Sequence, residues 1–399
     1  MTTARTATPS TARAINDRLA LDLLLEGGPL TATELRGLTG LSRPTVADLL
    51  ERLQRAGLVA VVGESGEQRR GPNARLYALV ADRAFLAGVD VRTTGVDLVV
   101  ADLTGRTRST AQVPNEGPGS LADRTVLALE GAVREAGAER LHTVAIGAPG
   151  LFDPATGEHR NSGALSRMHT DLITALREDP HTDVLIDNEV NLAGIAEHRI
   201  GAARDRDTFV LIWLSHGVGA SVVLDGRLRR GATGGTGEIG YLPVHGSGLP
   251  DGSGGCGSGG FHTLVSSEAV CELAAAHGLP VPQASAVPAS VPPGAEVLRA
   301  AAAAAEGPAA DAFLDEYARR IALGAASVCA VIDPGCVVLG GEIGRAGGPR
   351  LASRVEREIA RLVPLQTEVR AGTAGGGAVL AGAVLTAGDA ARRDLFGGG

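Results

Sequence analysis

The 399-residue sequence contains no lysine, so arginine supplies every basic side chain outside the histidines. Aromatic residues make up only 3% of the chain, and packing therefore rests on alanine, valine, leucine and isoleucine. The four cysteines are scattered without the spacing of a disulfide framework, and no apolar run reaches the roughly 18 residues that a membrane-spanning helix needs. The first residues also lack the apolar core of a signal peptide. These absences favour a cytoplasmic protein that has no membrane partner.

Charge is distributed unevenly along the chain. The formal net charge is −8, yet residues 1–83 contain eleven arginines against nine acidic residues. A chain of this length accommodates two or three domains. A mildly basic head on an acidic body is typical of a DNA-binding module attached to a body that does not bind DNA.

The head has the pattern of a winged helix-turn-helix. We expect residues 1–12 to form a disordered tail and residues 13–80 to form three helices followed by a hairpin. In the first helix, Ile15 and Leu19 share a face with Leu23 and Leu24. The third helix begins with Ser42 as its N-cap and has a proline in its first turn.

The start of the third helix and the wing carry the candidate DNA contacts. In a helix-turn-helix, the N-terminal part of the second helix of the motif enters the major groove, where arginine reads guanine. Arginines on a wing reach phosphates or a narrow minor groove. The predicted DNA-binding residues are Ser42, Arg43, Thr45, Asp48, Arg52, Arg69, Arg70 and Arg75. A plain three-helix bundle with solvated arginines is the alternative at this point.

The body has the pattern of a duplicated α/β protein. Two strands joined by a glycine turn occur after Phe85 and recur after Thr208, each followed further along by helices and buried strands. This repetition predicts two lobes of the actin-like type.

Four motifs make the chain resemble the ROK family (repressors, open reading frames, kinases) over roughly residues 13–390. They read "GLSRPTVADLLERLQRAGLV", "IGAPGLFDPATG", "GVGASVVLDGRLRRGATGGTGEIG" and "VIDPGCVVLGGEI". The resemblance is to the family's transcriptional regulators of the xylose- and N-acetylglucosamine-repressor kind. It implies an N-terminal winged helix-turn-helix followed by a two-lobed actin-like, sugar-kinase-like domain. The lobes would cover residues 84–200 and 201–399, with the C-terminal helix (Ala374–Ala387) returning to the first lobe.

The resemblance also implies a sugar site between the lobes. The residues matching the family's sugar contacts are Asn161, Asn188, Glu189 and Glu238. The family's kinases have E-N-D-A-N where this chain has "DNEVN", so Glu189 replaces the catalytic aspartate. They have D-x-G-G-T where this chain has "DVRTT", so Arg92 and Thr93 replace the glycines of the phosphate turn, and His216 replaces a small residue of the second phosphate loop. Because side chains block close approach to phosphates, we predict no catalytic residue and no nucleotide cofactor, hence no enzyme.

The zinc motif of the family is altered in this chain. Many members have G-E-I-G-H followed by C-x-C-G-x-x-G-C-x-E, whereas this chain reads "GEIGY" and "GGCGSGGFHT". Other residues stand at three ligand positions and at the final glutamate: Tyr241, Gly254, Phe261 and Thr263. A single remaining thiol cannot form the four-ligand site that zinc prefers, so we predict no metal. The alternative is a rearranged site made from His245, Cys256 and His262 with Asp251.

Taken together, the sequence predicts a DNA-binding transcriptional regulator, a repressor of carbohydrate-related genes. Its expected partners are a double-stranded operator, a sugar or sugar-derived effector, and a second copy in a homodimer or dimer of dimers. Two alternatives remain open. One is a ROK sugar kinase with an appended DNA-binding head, and the other is a regulator without a small-molecule ligand.

Overall fold

The computed structural model describes residues 9–65, 74–153, 164–177, 181–250, 259–283, 291–304 and 307–397. Within these ranges the chain forms a small winged head followed by two α/β lobes, which confirms the predicted fold class. None of the helices in the same ranges is both long enough and apolar enough to cross a bilayer.

The described part of the head combines helices with a small antiparallel sheet in the order β1-β3-β2. Its elements are α1 (Pro9–Gly27), β1 (Leu30–Thr31), α2 (Ala32–Thr39), α3 (Arg43–Arg55), β2 (Val59–Glu64) and β3 (Arg75–Leu79). The assignment of residues 9–12 to a disordered tail is wrong, because α1 begins at Pro9, and proline suits the first turn of a helix. Residues 1–8 lie outside the described residues.

Local hydrogen bonds fix both ends of α2 and the start of α3. The Thr31 hydroxyl oxygen accepts from the backbone N–H of Glu34 at 3.2 Å, and the Glu34 carboxylate accepts from the Thr31 N–H at 2.7 Å, which makes a capping box. Gly40 ends α2 with a φ of 69°, and Ser42 caps α3 by accepting from the N–H of Thr45. These caps set where α3 begins.

The first lobe is built on a sheet in the order β6-β5-β4-β7-β8. Strands β4, β5 and β6 are antiparallel neighbours, and β7 and β8 then run parallel to β4. The elements are β4 (Phe85–Arg92), β5 (Gly95–Asp102), β6 (Thr107–Pro114), α4 (Leu121–Glu135), β7 (Thr143–Ala148), α5 (Ala164–Leu176), β8 (Asp183–Asn188) and α6 (Glu189–Arg199).

The second lobe repeats this arrangement with the order β11-β10-β9-β12-β13. Again a three-strand antiparallel unit is extended by two parallel strands, β12 and β13. The elements are β9 (Phe209–Leu214), β10 (Val218–Leu224), β11 (Arg227–Arg229), α7 (His262–Val265), α8 (Ser267–Ala276), α9 (Pro293–Ala303), α10 (Pro308–Ile332), β12 (Cys336–Gly340), α11 (Gly341–Leu362), β13 (Glu368–Ala371) and α12 (Ala378–Leu395). The matching strand orders account for the repeated sequence pattern.

The C-terminal helix α12 packs against α6, β4 and β7 of the first lobe. It both starts and ends later than the helix expected from the sequence. The contact with α6 is so close that a Cβ atom on Gly382 would lie 1.8 Å from the carbonyl oxygen of Leu192. Only a glycine at this position allows the two helix backbones to approach.

A short 3-10 turn over Ala81–Arg83 joins the head to the first lobe. The N–H of Val80 donates to the carbonyl of Leu58 in the head, and the N–H of Leu103, directly after β5, donates to the carbonyl of Ala81, each at 3.0 Å. Buried side chains of the head also belong to the same apolar cluster as Leu86 of β4. The head is therefore packed onto the first lobe and not attached through a free linker.

We expect Gly382→Ala to destabilise the protein by about 1–3 kcal/mol, because the new methyl group would push α12 away from α6. Thermal unfolding followed by circular dichroism checks this. Gly131→Ala in α4 is the matched control, since its Cβ would meet only the end of the Arg134 side chain at 3.9 Å. That change is expected to stabilise by about 0.5–1 kcal/mol. Equal stability of Gly382→Ala and the unchanged protein would contradict the packing described for α12.

Candidate functional site

A cleft of about 400 Å³ lies between the two lobes. Side chains at the carboxyl ends of parallel strands converge on one edge of an α/β sheet, and the duplicated lobes bring two such edges together. The polar side chains that line the cleft come from both lobes: Asp90, Arg92, Thr93, Thr94, Asn188, Glu189, Ser215, His216, Thr236, Glu238, Tyr241, His262 and Glu342. Three of the four predicted ligand-binding residues are in this set. The fourth, Asn161, lies outside the described residues, and its role stays a prediction.

Asn188 stands where β8 passes into α6 and holds this junction in place. Its side-chain oxygen accepts from the N–H of Val190 at 2.8 Å, which caps α6. Its side-chain nitrogen donates to the carbonyl of Gly150 at 3.1 Å, in the loop after β7. Asn188 therefore fixes the direction in which the next residue enters the cleft.

Glu189, the first residue of α6, presents an unsatisfied carboxyl group to the cleft. Its Oε2 atom is buried and has no hydrogen-bond partner among the described residues. Burial, reinforced by the negative charges of Asp90 and Glu238, raises the pKa of Glu189 to about 8. A buried polar atom without a partner is costly, and a ligand hydroxyl entering the cleft would supply one.

Glu238 lies on the opposite lobe, in the glycine-rich segment after β11. The preceding Gly237 has a φ of 94°, and a Cβ there would lie 1.9 Å from the carbonyl oxygen of Ala220. Glycine is thus required to turn the chain back against β10. Glu238 keeps an exposed side, and partial burial of its carboxyl group raises its pKa. The turn aims this carboxylate at the same space as Glu189.

Arg92, at the end of β4, is held by carboxylates from both lobes. Its guanidinium lies 2.7 Å from the Asp90 carboxylate and 3.1 Å from Glu342 at the start of α11. The second oxygen of Glu342 accepts from the Ser215 hydroxyl at 2.6 Å. Asp90 is almost completely buried, which raises its pKa to about 6 even though Arg92 acts in the opposite direction.

This arrangement does not fit a nucleotide in the phosphate turn. Close approach of phosphates to the backbone needs glycines, whereas here the Arg92 side chain lies in the turn and forms ion pairs. Three carboxylates, Asp90, Asp97 and Glu342, lie within 4 Å of that guanidinium and would repel a phosphate group.

The position of Phe261 does not fit the family's zinc motif either. Its phenyl ring, at a ligand position, is fully buried in the core of the second lobe against Gly324 of α10. Tyr241, at a second ligand position, is partly exposed. No group of three potential ligands occurs among the described residues. Cys256 and Asp251 lie outside them, so the alternative site with His245 and His262 stays untested.

In the head, the first residues of α3 are accessible. Arg43 and Asp48 are exposed, whereas Val46, Leu49, Leu50 and Leu53 pack inward. The hydroxyl groups of Ser42 and Thr45 lie 2.8 Å apart at the start of the helix. Arg75 is exposed at the beginning of β3, and Arg69 and Arg70 lie outside the described residues. The DNA contacts of all these residues stay predictions.

Arg52 differs from the other predicted DNA contacts because its charge is already paired. It donates to the Asp17 carboxylate of α1 at 2.5 and 3.3 Å and forms an ion pair with Asp48 one turn earlier in α3. The hydrogen bonds that Arg52 donates to the Asp17 carboxylate raise the pKa of Arg52. These contacts stabilise α3 against α1 and oppose the use of Arg52 and Asp48 in reading DNA.

Several residues that line the cleft, among them Asp90, Ser215 and Glu342, were not predicted from the sequence to bind a ligand. A usable signal was present for Glu342, which directly follows the glycines after the buried strand β12. An acidic residue at the carboxyl end of such a strand faces the same edge as the other cleft residues.

The pKa of Glu189 predicts a pH-dependent stability. Because the folded pKa of about 8 lies above the ordinary value of 4.5, this group stabilises the fold fully below 4.5, and that contribution is lost as the pH rises through 8. We expect the thermal midpoint to fall between about pH 5 and about pH 9 more steeply in the unchanged protein than in Glu189→Gln, whose amide does not ionise. Parallel pH profiles of the two proteins would contradict this account.

Comparison with known proteins agrees with this geometry. The profile described as ROK family matches residues 86–389, and the one described as MarR family matches residues 15–71. The xylose repressor of Bacillus subtilis (strain 168) is 25% identical over 258 residues, which cover 64% of this chain and 66% of that protein, slightly under two thirds of its length.

Two solved structures share the fold. One, described as a ROK family transcriptional regulator homologous to the E. coli MLC protein, has a TM-score of 0.72 and 22% identity over 96% of this chain and 98% of that chain. The ROK hexokinase from Thermus thermophilus has a TM-score of 0.58 and 28% identity over 77% of this chain and 99% of its own. Because the family profile covers most of the sequence, the chain belongs to the ROK family.

Proposed function

We propose that this protein is a DNA-binding transcriptional repressor of carbohydrate-related genes, controlled by a sugar or sugar-derived effector in the interlobe cleft. The observation that carries the proposal is the composition of the cleft. The hydroxyl-binding side keeps Asn188, Glu189 and Glu238, whereas ion pairs of Arg92 fill the phosphate turn. A site of this kind binds a sugar without transferring a phosphoryl group. The matched xylose repressor supports the same assignment.

A sugar kinase is the second candidate, favoured by the likeness to the Thermus hexokinase. Two features of the cleft oppose it. The ion-paired Arg92 blocks the phosphate turn, and Glu189 is one methylene longer than the aspartate that it replaces. A displacement of about 1 Å at a reacting group can cost ~100-fold in rate.

Head and cleft are coupled through β4. The strand begins one residue after Ala84, the end of the junction with the head, and it ends at Arg92 in the cleft. A change in the angle between the lobes therefore moves the head together with the first lobe. In a two-fold dimer this changes the spacing of the two recognition helices, which must match operator half-sites about one helical turn apart or a multiple of it. We accordingly expect a homodimer or a dimer of dimers, working in the cytoplasm where the operator is.

We expect Arg43→Ala to weaken operator binding by about 1–3 kcal/mol and to relax specificity at one base pair. The operator is first located by footprinting upstream of the protein's own gene, and affinity is then measured by fluorescence anisotropy at fixed salt. Arg55→Ala is the matched control, because Arg55 is exposed at the other end of α3 and pairs with Glu51. Equal losses in the two variants would show that α3 does not read bases.

At pH 9, above the Glu189 pKa of about 8, we expect Glu189→Gln to weaken effector binding by roughly 10–100-fold, because hydrogen bonds to a charged acceptor contribute about 1.5–3 kcal/mol. Thermal-shift screening with mono- and oligosaccharides identifies the effector, and calorimetry gives the affinity. Operator binding without effector should be unchanged. The control is Glu135→Gln, at an exposed residue of α4 outside the cleft lining, and it should change neither operator binding nor effector binding. No response of the unchanged protein to any sugar, with intact operator binding, would favour a regulator without a small-molecule ligand.

A further inference from the structure

Two arginines connect the lobes in opposite directions. Arg92 of the first lobe reaches Glu342 of the second at 3.1 Å, and both residues line the cleft. Arg230, directly after β11 in the second lobe, reaches Asp187 of β8 at 2.7 and 2.9 Å. The second pair adjoins α6, which also packs on β10. Of these two pairs, both formed by described residues, the Arg92–Glu342 pair is the one that spans the open space of the cleft.

The negative charges around Arg92 make the Arg92–Glu342 ion pair important for keeping the two lobes close together. Three carboxylates, those of Asp90, Asp97 and Glu342, surround a single guanidinium at 2.7 to 3.8 Å. Asp97 and Glu342 each act to raise the pKa of Asp90, which means that these negative charges repel one another. Without Arg92, carboxylates of the two lobes would face each other uncompensated in a partly buried site.

We propose that Arg92 is a positioning residue that holds the two lobes together across the cleft, and that breaking its pair with Glu342 is the step that opens the cleft. As a form of regulation of the effector site, this inference rests on the proposed function. The pair acts as a two-state element: closed when the guanidinium bridges the lobes, open when the carboxylates separate. Since Arg92 ends the strand that begins at the head, each state gives the head a different position.

Hydrogen exchange of the full-length protein, without DNA or sugar, tests the proposal. We expect Arg92→Met and Glu342→Gln each to speed amide exchange roughly tenfold in residues 93–95 of the first lobe and in residues 215–217 of the second. Arg92→Lys keeps a positive charge and should stay near the unchanged protein. The matched control is Arg108→Met, which removes an arginine paired with Asp102 inside the first lobe, at 3.5 Å.

Two results would overturn the proposal: faster exchange confined to the lobe that carries the substitution, or equal loosening in Arg108→Met. The Arg230–Asp187 pair remains in all variants and should keep them folded, which unchanged exchange in α4 verifies. If Arg92→Met does not fold, the test relies on Glu342→Gln, which preserves side-chain size. The exchange result is measured without DNA or sugar, so it does not depend on whether the protein binds either of them. Absence of DNA and sugar binding would refute the proposed function and would leave the exchange result unchanged.

Discussion

The ion pairs of Arg92 with Asp90 and Glu342 determine what the cleft can do. A guanidinium in the phosphate turn satisfies carboxylates that would otherwise be buried without a counter-charge. It thereby closes the phosphate end of the cleft, while the unpartnered oxygen of Glu189 leaves the other end ready to accept a hydroxyl group. Under the proposed function, this scaffold, shared with sugar kinases, serves recognition, and the head packed on the first lobe carries the response to DNA.

Features set by local chemistry could be predicted from the sequence. The Ser-Arg-Pro-Thr start of α3 contains its own cap, so the beginning of that helix could be located within a residue. The alternation of strands and glycine turns gave the duplicated lobes, because each repeat has to form the same three-strand unit. Asn188 and Glu189 were expected at the cleft from the resemblance to the ROK family, and the passage from β8 into α6 places them there.

Features set by distant contacts could not be predicted. Arg92 and Glu342 are 250 positions apart, and no local pattern pairs them. Arg52 was predicted to contact DNA from its position in α3. Its partner, the Asp17 carboxylate, belongs to another helix, so the sequence of α3 does not reveal that the charge of Arg52 is already paired. Ile15 and Leu19 have the spacing of a core face, yet both are exposed, because the head packs α1 through Ala20, Leu21 and Leu24. Helical periodicity identifies which residues share one face of a helix, but it does not identify whether another element packs against that face.

The central claim is that the cleft recognises a sugar and no longer phosphorylates one. A coupled assay of ADP release, run with magnesium and ATP across a panel of hexoses and N-acetylhexosamines, tests this most directly. The account predicts no ADP release above that of the protein-free control, for any sugar, including those that shift the melting temperature. Sugar-dependent turnover at a rate typical of kinases, on the order of 1–100 per second, would contradict it.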